Sequence, residues 1–182
     1  MYNNISLWDV CGATVAFCDG LKHIQKNMQE YGVSILVAVP LVLETMYKKI
    51  QKGIREQEKE KLIEKVTKIS NCLLKCHIDL RRKLFKQILD NFGGKLRVVL
   101  YGAAPMNKDT IIGFNNIGID LIQGYGLTET SPVVAAETDK EKRPGSVGLA
   151  FDDLQVKISN QDKEGVGEIF VKGPSVMLRV LQ

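Results

Sequence analysis

Several features that would assign this chain to a specialised class are missing from it. Its four cysteines, Cys11, Cys18, Cys72 and Cys76, lack the dense regular spacing of a secreted disulfide framework, so reduced cytosolic thiols are expected. Cys72, Cys76 and His77 lie close together. A structural zinc site takes about four ligands, however, and no second pair accompanies them, which leaves buried helical thiols as the expectation. No basic leader heads residues 1–20, and the apolar stretch there is broken by Asp9, Gly12 and Asp19. The longest strongly apolar run, residues 31–43, contains Pro40 and falls short of the ~20 residues a membrane span needs. Internal repeats and low-complexity segments are also absent. These lacks together predict a cytoplasmic globular chain.

What is present can build a core. With 182 residues, 45% of them hydrophobic, one or two domains are expected. The net charge of +4 is unevenly spread: residues 48–95 hold fourteen Lys and Arg against six Asp and Glu. A basic arm on a mildly acidic body follows from that asymmetry. The arm has apolar residues at 62, 66, 69, 73, 80 and 84, a helical stripe that must pack on something. Its Lys/Arg excess fits a solvated outer face better than an anionic membrane or a partner protein, although both of those remain open. His23 and His77 read as structural or exposed.

Around the arm, the pattern alternates between strand and helix. Residues 21–31 have helical spacing and stop at Gly32; residues 34–39 (SILVAV) read as a buried parallel strand, and Pro40 opens the next helix. Residues 96–101 (LRVVLY) form a further strand, then a GAAP turn, a helix over 108–115 and a strand over 119–122. The expected fold class is α/β, an open, mainly parallel flavodoxin-like sheet with flanking helices and a long helical insertion. Residues 1–47 and 92–140 would form the α/β part and 48–91 the insertion. The strands LQVKI and EIFV within 141–182 would start a small β subdomain. Ligands of such sheets lie beyond the carboxyl ends of the strands, where both Gly102 to Pro105 and Gln123 to Thr130 are expected.

Gly124 and Gly126 let backbone approach a ligand, Tyr125 offers a flat face for a base, Thr128 a hydroxyl and Glu129 a hard oxygen for magnesium. Taken alone, the string fits a plain turn better than a nucleotide site. Thr128 could equally cap a helix, Glu129 could be a first-turn carboxylate and Tyr125 could simply pack.

The longer string QGYGLTETSP, residues 123–132, resembles the signature of the AMP-forming ligase superfamily of acyl-CoA synthetases, luciferases and peptide-synthetase adenylation domains. It stands in order with YGAAPM (101–106), RPGSVGLAF (143–151) and GEIFVKGPSVM (167–177). Upstream text, from AFCDGLKHIQKNMQEYGVSILVAVP onwards, resembles bacterial long-chain fatty-acid–CoA ligases. The resemblance implies that Tyr125 stacks on adenine with Gln123 and Gly124 beside it, and that Gly102, Ala103, Ala104 and Pro105 line the acyl-adenylate pocket together with Gly126. It further implies that Thr128 contacts the α-phosphate and Glu129 the magnesium. ATP/AMP, Mg2+, CoA and a fatty acid are the implied partners; nucleic acid is not.

The family's Ser/Thr/Gly-rich phosphate loop, its ribose-binding aspartate and its small lysine-bearing domain are not found in this sequence. Asp152 and Asp153 precede the aspartate's expected place. An internal fragment, inert by itself, is therefore expected. A noncatalytic adenylate-binding module, another adenylate-forming ligase and a helical interaction protein are the alternatives.

Overall fold

The structure, a computed structural model, describes residues 12–138 and 142–179. Cys11 and most of the leader reading over 1–20 lie outside the described residues. A first helix, α1, covers Ile24–Tyr31 and is stopped by Gly32 in the left-handed conformation. Strand β1 is Ile35–Ala38, and Pro40 then takes the first turn of α2, Pro40–Glu56, where its missing N–H costs nothing. The arm continues with α3 (Glu60–Lys75) and two short helices, α4 (Arg81–Leu84) and α5 (Lys86–Asp90). After these come β2 (Val98–Tyr101), α6 (Lys108–Asn116) and β3 (Asp120–Gly126). A 3-10 turn at Thr128–Thr130 leads into β4 (Val133–Ala136) and β5 (Leu149–Ala150).

The five strands form one sheet in the order β1-β2-β3-β4-β5. The first three are parallel, with Leu36, Val99 and Leu121 in register; β4 pairs antiparallel with β3 and β5 antiparallel with β4, so β4 alone is reversed. A separate antiparallel hairpin joins β6 (Gln155–Ser159) to β7 (Glu168–Lys172). This is the expected α/β class, a mostly parallel sheet with flanking helices.

Side chains alternate across the parallel strands, so Val99, Tyr101 and Leu121 face a core completed by Leu43, Met46, Phe85, Leu89, Leu96 and Phe114. Gly113 on α6 lies so close to α2 that a Cβ there would collide with the Tyr47 side chain. The opposite face is barely covered: Ile35 and Val37 are exposed and Val98, Leu100 and Ile122 are half-buried. Residues 34–39 therefore form a parallel strand as expected, yet one buried on a single face among the described residues.

The arm also packs differently from its apolar spacing. Ile63, Val66, Ser70 and Leu73 are turned inward, whereas Leu62, Ile69 and Leu84 are 56%, 59% and 45% exposed. Ser70 explains the choice, since a small residue lets α3 approach the core closely enough for Asn71 to donate to Asn116 at 3.1 Å. Two of the cations are also not solvated. The Arg82 guanidinium donates to the carbonyls of Gly94, Leu96 and Gly118 at 2.8, 2.7 and 3.2 Å. Arg81 donates to Asn115 O and holds the Asp79 carboxylate, whose pKa its hydrogen bond lowers. Cys72 and Cys76 are exposed rather than buried: Cys72 falls on the outward side of α3 and Cys76 lies just past its end, at the C-cap.

Candidate functional site

β2 ends at Tyr101 and the chain turns at once through Gly102, Ala103, Ala104 and Pro105. Ala103 has φ +71°, a left-handed conformation that glycine adopts freely and alanine only at a cost. The turn is held from both ends. Met106 is buried beyond it, and the Asn107 side chain accepts from Asp109 N–H at 2.7 Å, capping α6. Ala103, Ala104 and Pro105 are themselves exposed, and Gly102 is half-buried.

The neighbouring strand β3 is longer than the four residues expected, because β4 folds back on it and pairs Gly124 with Ala136, Tyr125 with Ala135 and Gly126 with Val133. Gln123, Gly124, Tyr125 and Gly126 are thus strand residues rather than a loop. The ladder shifts register between Tyr125 and Gly126, where a Cβ on Gly126 would collide with the Pro132 carbonyl. A Cβ on Gly102 would lie 2.7 Å from the Gly124 carbonyl. Turn and strand therefore meet backbone to backbone, and two segments far apart in sequence become one glycine-lined surface with half-buried Tyr125 upon it.

Thr128 and Glu129 follow on the 3-10 turn, both exposed. The cap of that turn is Thr130, not Thr128. Its buried hydroxyl accepts from Leu127 N–H at 3.0 Å and donates to one of the carbonyls of Leu127 and Pro132, 2.9 and 3.0 Å away. Glu129 spends its backbone carbonyl on Met177 N–H at 2.8 Å, which brings the GPSVM stretch alongside. The hydroxyl of Thr128 and the carboxylate of Glu129 have no protein partner among the described residues. They are available to a ligand.

Beneath the exposed surface lies a buried polar layer that takes in Gln123, expected beside the base, together with Tyr101 and Glu137, which the sequence reading did not single out. The Tyr101 hydroxyl donates to Gln123 Oε1 at 3.0 Å, so that carboxamide oxygen faces the phenol. Gln123 N–H donates to Glu137 Oε2 at 3.0 Å and Arg143 N–H to Glu137 Oε1 at 3.1 Å. Burial, together with the charge of Glu137, pushes the Tyr101 phenol up to about 12. The signal for Glu137 was the one carboxylate that ends the apolar run VVAAE.

Among the described residues no three His, Cys, Asp or Glu side chains form a metal cluster. A lone Glu129 suits magnesium, which commonly takes one or two carboxylates and completes its shell with water and substrate phosphates. The assembled surface can thus present backbone and an aromatic face to a base, a hydroxyl to a phosphate oxygen and a carboxylate to a metal.

A family model described as AMP-binding enzyme matches residues 3–181. The chloroplastic long-chain-fatty-acid–acyl-carrier-protein ligase of Arabidopsis thaliana is 27% identical over 214 residues, covering 92% of this chain and 29% of that protein. Long-chain-fatty-acid–CoA ligase 6 of Rattus norvegicus is 28% identical over 179 residues, covering 91% and 26%. Among solved structures, an anthranilate CoA ligase in complex with anthranoyl-AMP superposes with a TM-score of 0.60 at 14% identity, over 92% of this chain and 27% of that one. The chain therefore spans between a quarter and a third of each of these three proteins.

Proposed function

Because this chain belongs to the AMP-binding enzyme family, we propose that it supplies the adenylate-facing wall of a ligase activating long-chain fatty acids. In that reaction a carboxylate oxygen attacks the α-phosphorus of ATP and pyrophosphate leaves. The CoA thiol then attacks the acyl carbon, AMP leaves and a thioester forms. Support for the fatty acid comes from the names of the relatives that align over nine-tenths of the chain.

The observation that carries the reading is the meeting of Gly102 with Gly124, which places the 102–105 turn beside the strand bearing Tyr125. Tyr125 would stack on the adenine, with the backbone of Gly102, Ala103 and Ala104 lining the adenylate pocket. Thr128 would donate to an oxygen of the α-phosphate. Glu129 would hold magnesium in part, and the metal would supply charge neutralisation where two anions must approach, a barrier that fixed donors would lower further. Thr130 and the backbone bond from Met177 brace the turn that carries both outward side chains. By itself the 182-residue polypeptide is proposed to turn over no fatty acid, because the reaction needs groups its sequence lacks. A peripheral contact with an anionic membrane on the cytoplasmic side belongs to the same proposal; Leu62 and Ile69, exposed beside Lys61, Lys65 and Lys68, support it.

The test uses the matching threonine and glutamate of an intact fatty-acid–CoA ligase. Replacing either with alanine is expected to cut fatty-acid-dependent ATP–pyrophosphate exchange at least about tenfold. Undiminished exchange in both would sink the assignment.

A further inference from the structure

Three buried side chains connect the two walls of the site. Tyr101, Gln123 and Glu137 are only 4%, 8% and 6% exposed. Tyr101 is the last residue of β2, directly before the 102–105 turn, and Gln123 directly precedes Gly124 and Tyr125. The phenol is bonded to the Gln123 side chain, and the Gln123 backbone is held at both its N–H and its C=O by Glu137, whose own N–H donates to Gln123 O at 3.0 Å. The second carboxylate oxygen reaches Arg143 N–H in the segment that follows β4.

We propose that Glu137 is a positioning residue: its buried carboxylate fixes the Gln123 main chain, and through the Gln123–Tyr101 hydrogen bond it sets the spacing between the 102–105 turn and the Gly124–Tyr125 backbone. A carboxylate suits the task because it is acceptor-only and faces two N–H donors, while an amide there would turn a donor toward one of them. The consequence for nucleotide binding rests on the proposed function; the coupling itself does not.

The experiment uses the 15N-labelled 182-residue chain without nucleotide. In Glu137→Gln, with the far-UV circular dichroism of the fold retained, the amide resonances of Gln123 and Arg143 shift directly. Those of Gly102, Ala103 and Ala104 shift with them, and the Tyr101 titration followed by 13C NMR falls from about 12. Unmoved resonances at 102–104 would reduce Glu137 to a local loop anchor and overturn the proposal. If Glu137→Gln does not fold, Tyr101→Phe decides. Loss of the hydroxyl must shift the Gln123 and Glu137 amides, and unshifted amides overturn the coupling. AMP is added only afterwards: a chain that shows these shifts but binds no AMP counts against the proposed function and leaves the coupling standing.

Discussion

Tyr101 and Ala103 show what single residues contribute at this site. The Tyr101 phenol is neutral in the fold up to about 12, against an ordinary value of 10.0, so the unfolded chain loses that proton first. Its contribution to stability is complete below pH 10 and declines as pH rises through the interval to about 12. Denaturant unfolding is therefore expected to lose stability across that alkaline window, and Tyr101→Phe to lose less. Ala103→Gly should relieve a left-handed alanine that costs roughly 1–2 kcal/mol, offset by the greater freedom of glycine in the unfolded chain. The net expectation is a small rise in melting temperature; a fall would show that the strain is illusory. Neither residue's environment is legible in the sequence, where GAAP reads as a turn lining the adenylate pocket and nothing announces the left-handed Ala103 or the buried phenol. Thr128 and Glu129 were legible as candidates, because an exposed hydroxyl and carboxylate need no partner in the fold to be recognised. Glu137 was not, since its function depends on two N–H groups that only the folded backbone brings to it.

Among the elements, the strands were the most readable. β-branched runs ended by Pro40 or by glycine fix β1 and β2 within two residues, because period and punctuation are local properties. β3 outgrew its expected length because pairing with β4 is a tertiary event with no local signal. The arm misled in a similar way: apolar spacing permits two neighbouring seams on α3, and packing selected the one containing Ser70. Arg82 is the clearest case, a cation that composition assigns to solvent and that in fact ties α4 to the ends of α5, β2 and β3 through three carbonyls. Arg82→Met should keep much of the packing and lose those bonds, lowering unfolding free energy by about 2–3 kcal/mol. Denaturant melts check this, and a change under about 0.5 kcal/mol, the range of an ordinary surface substitution, would contradict the stapling role.

At the scale of the molecule, one face of the sheet is covered among the described residues, and the proposed adenylate wall is one side of a site. Ile35 and Val37 stand open to solvent on a parallel strand, and parallel sheets are ordinarily covered on both faces. The same incompleteness holds for the chemistry. The described surface gathers aromatic, hydroxyl and carboxylate groups, and the sequence contains no lysine-bearing phosphate loop to oppose them. The 102–105 turn and residues 123–129 are proposed to form an adenylate wall. Transplanting residues 98–138 into the matching place of an intact fatty-acid–CoA ligase and measuring fatty-acid-dependent ATP–pyrophosphate exchange tests this. The chimera is expected to retain exchange, and Thr128→Ala within the transplanted stretch to lower it at least about tenfold. Exchange that is equal with and without the Thr128 hydroxyl would contradict the proposal.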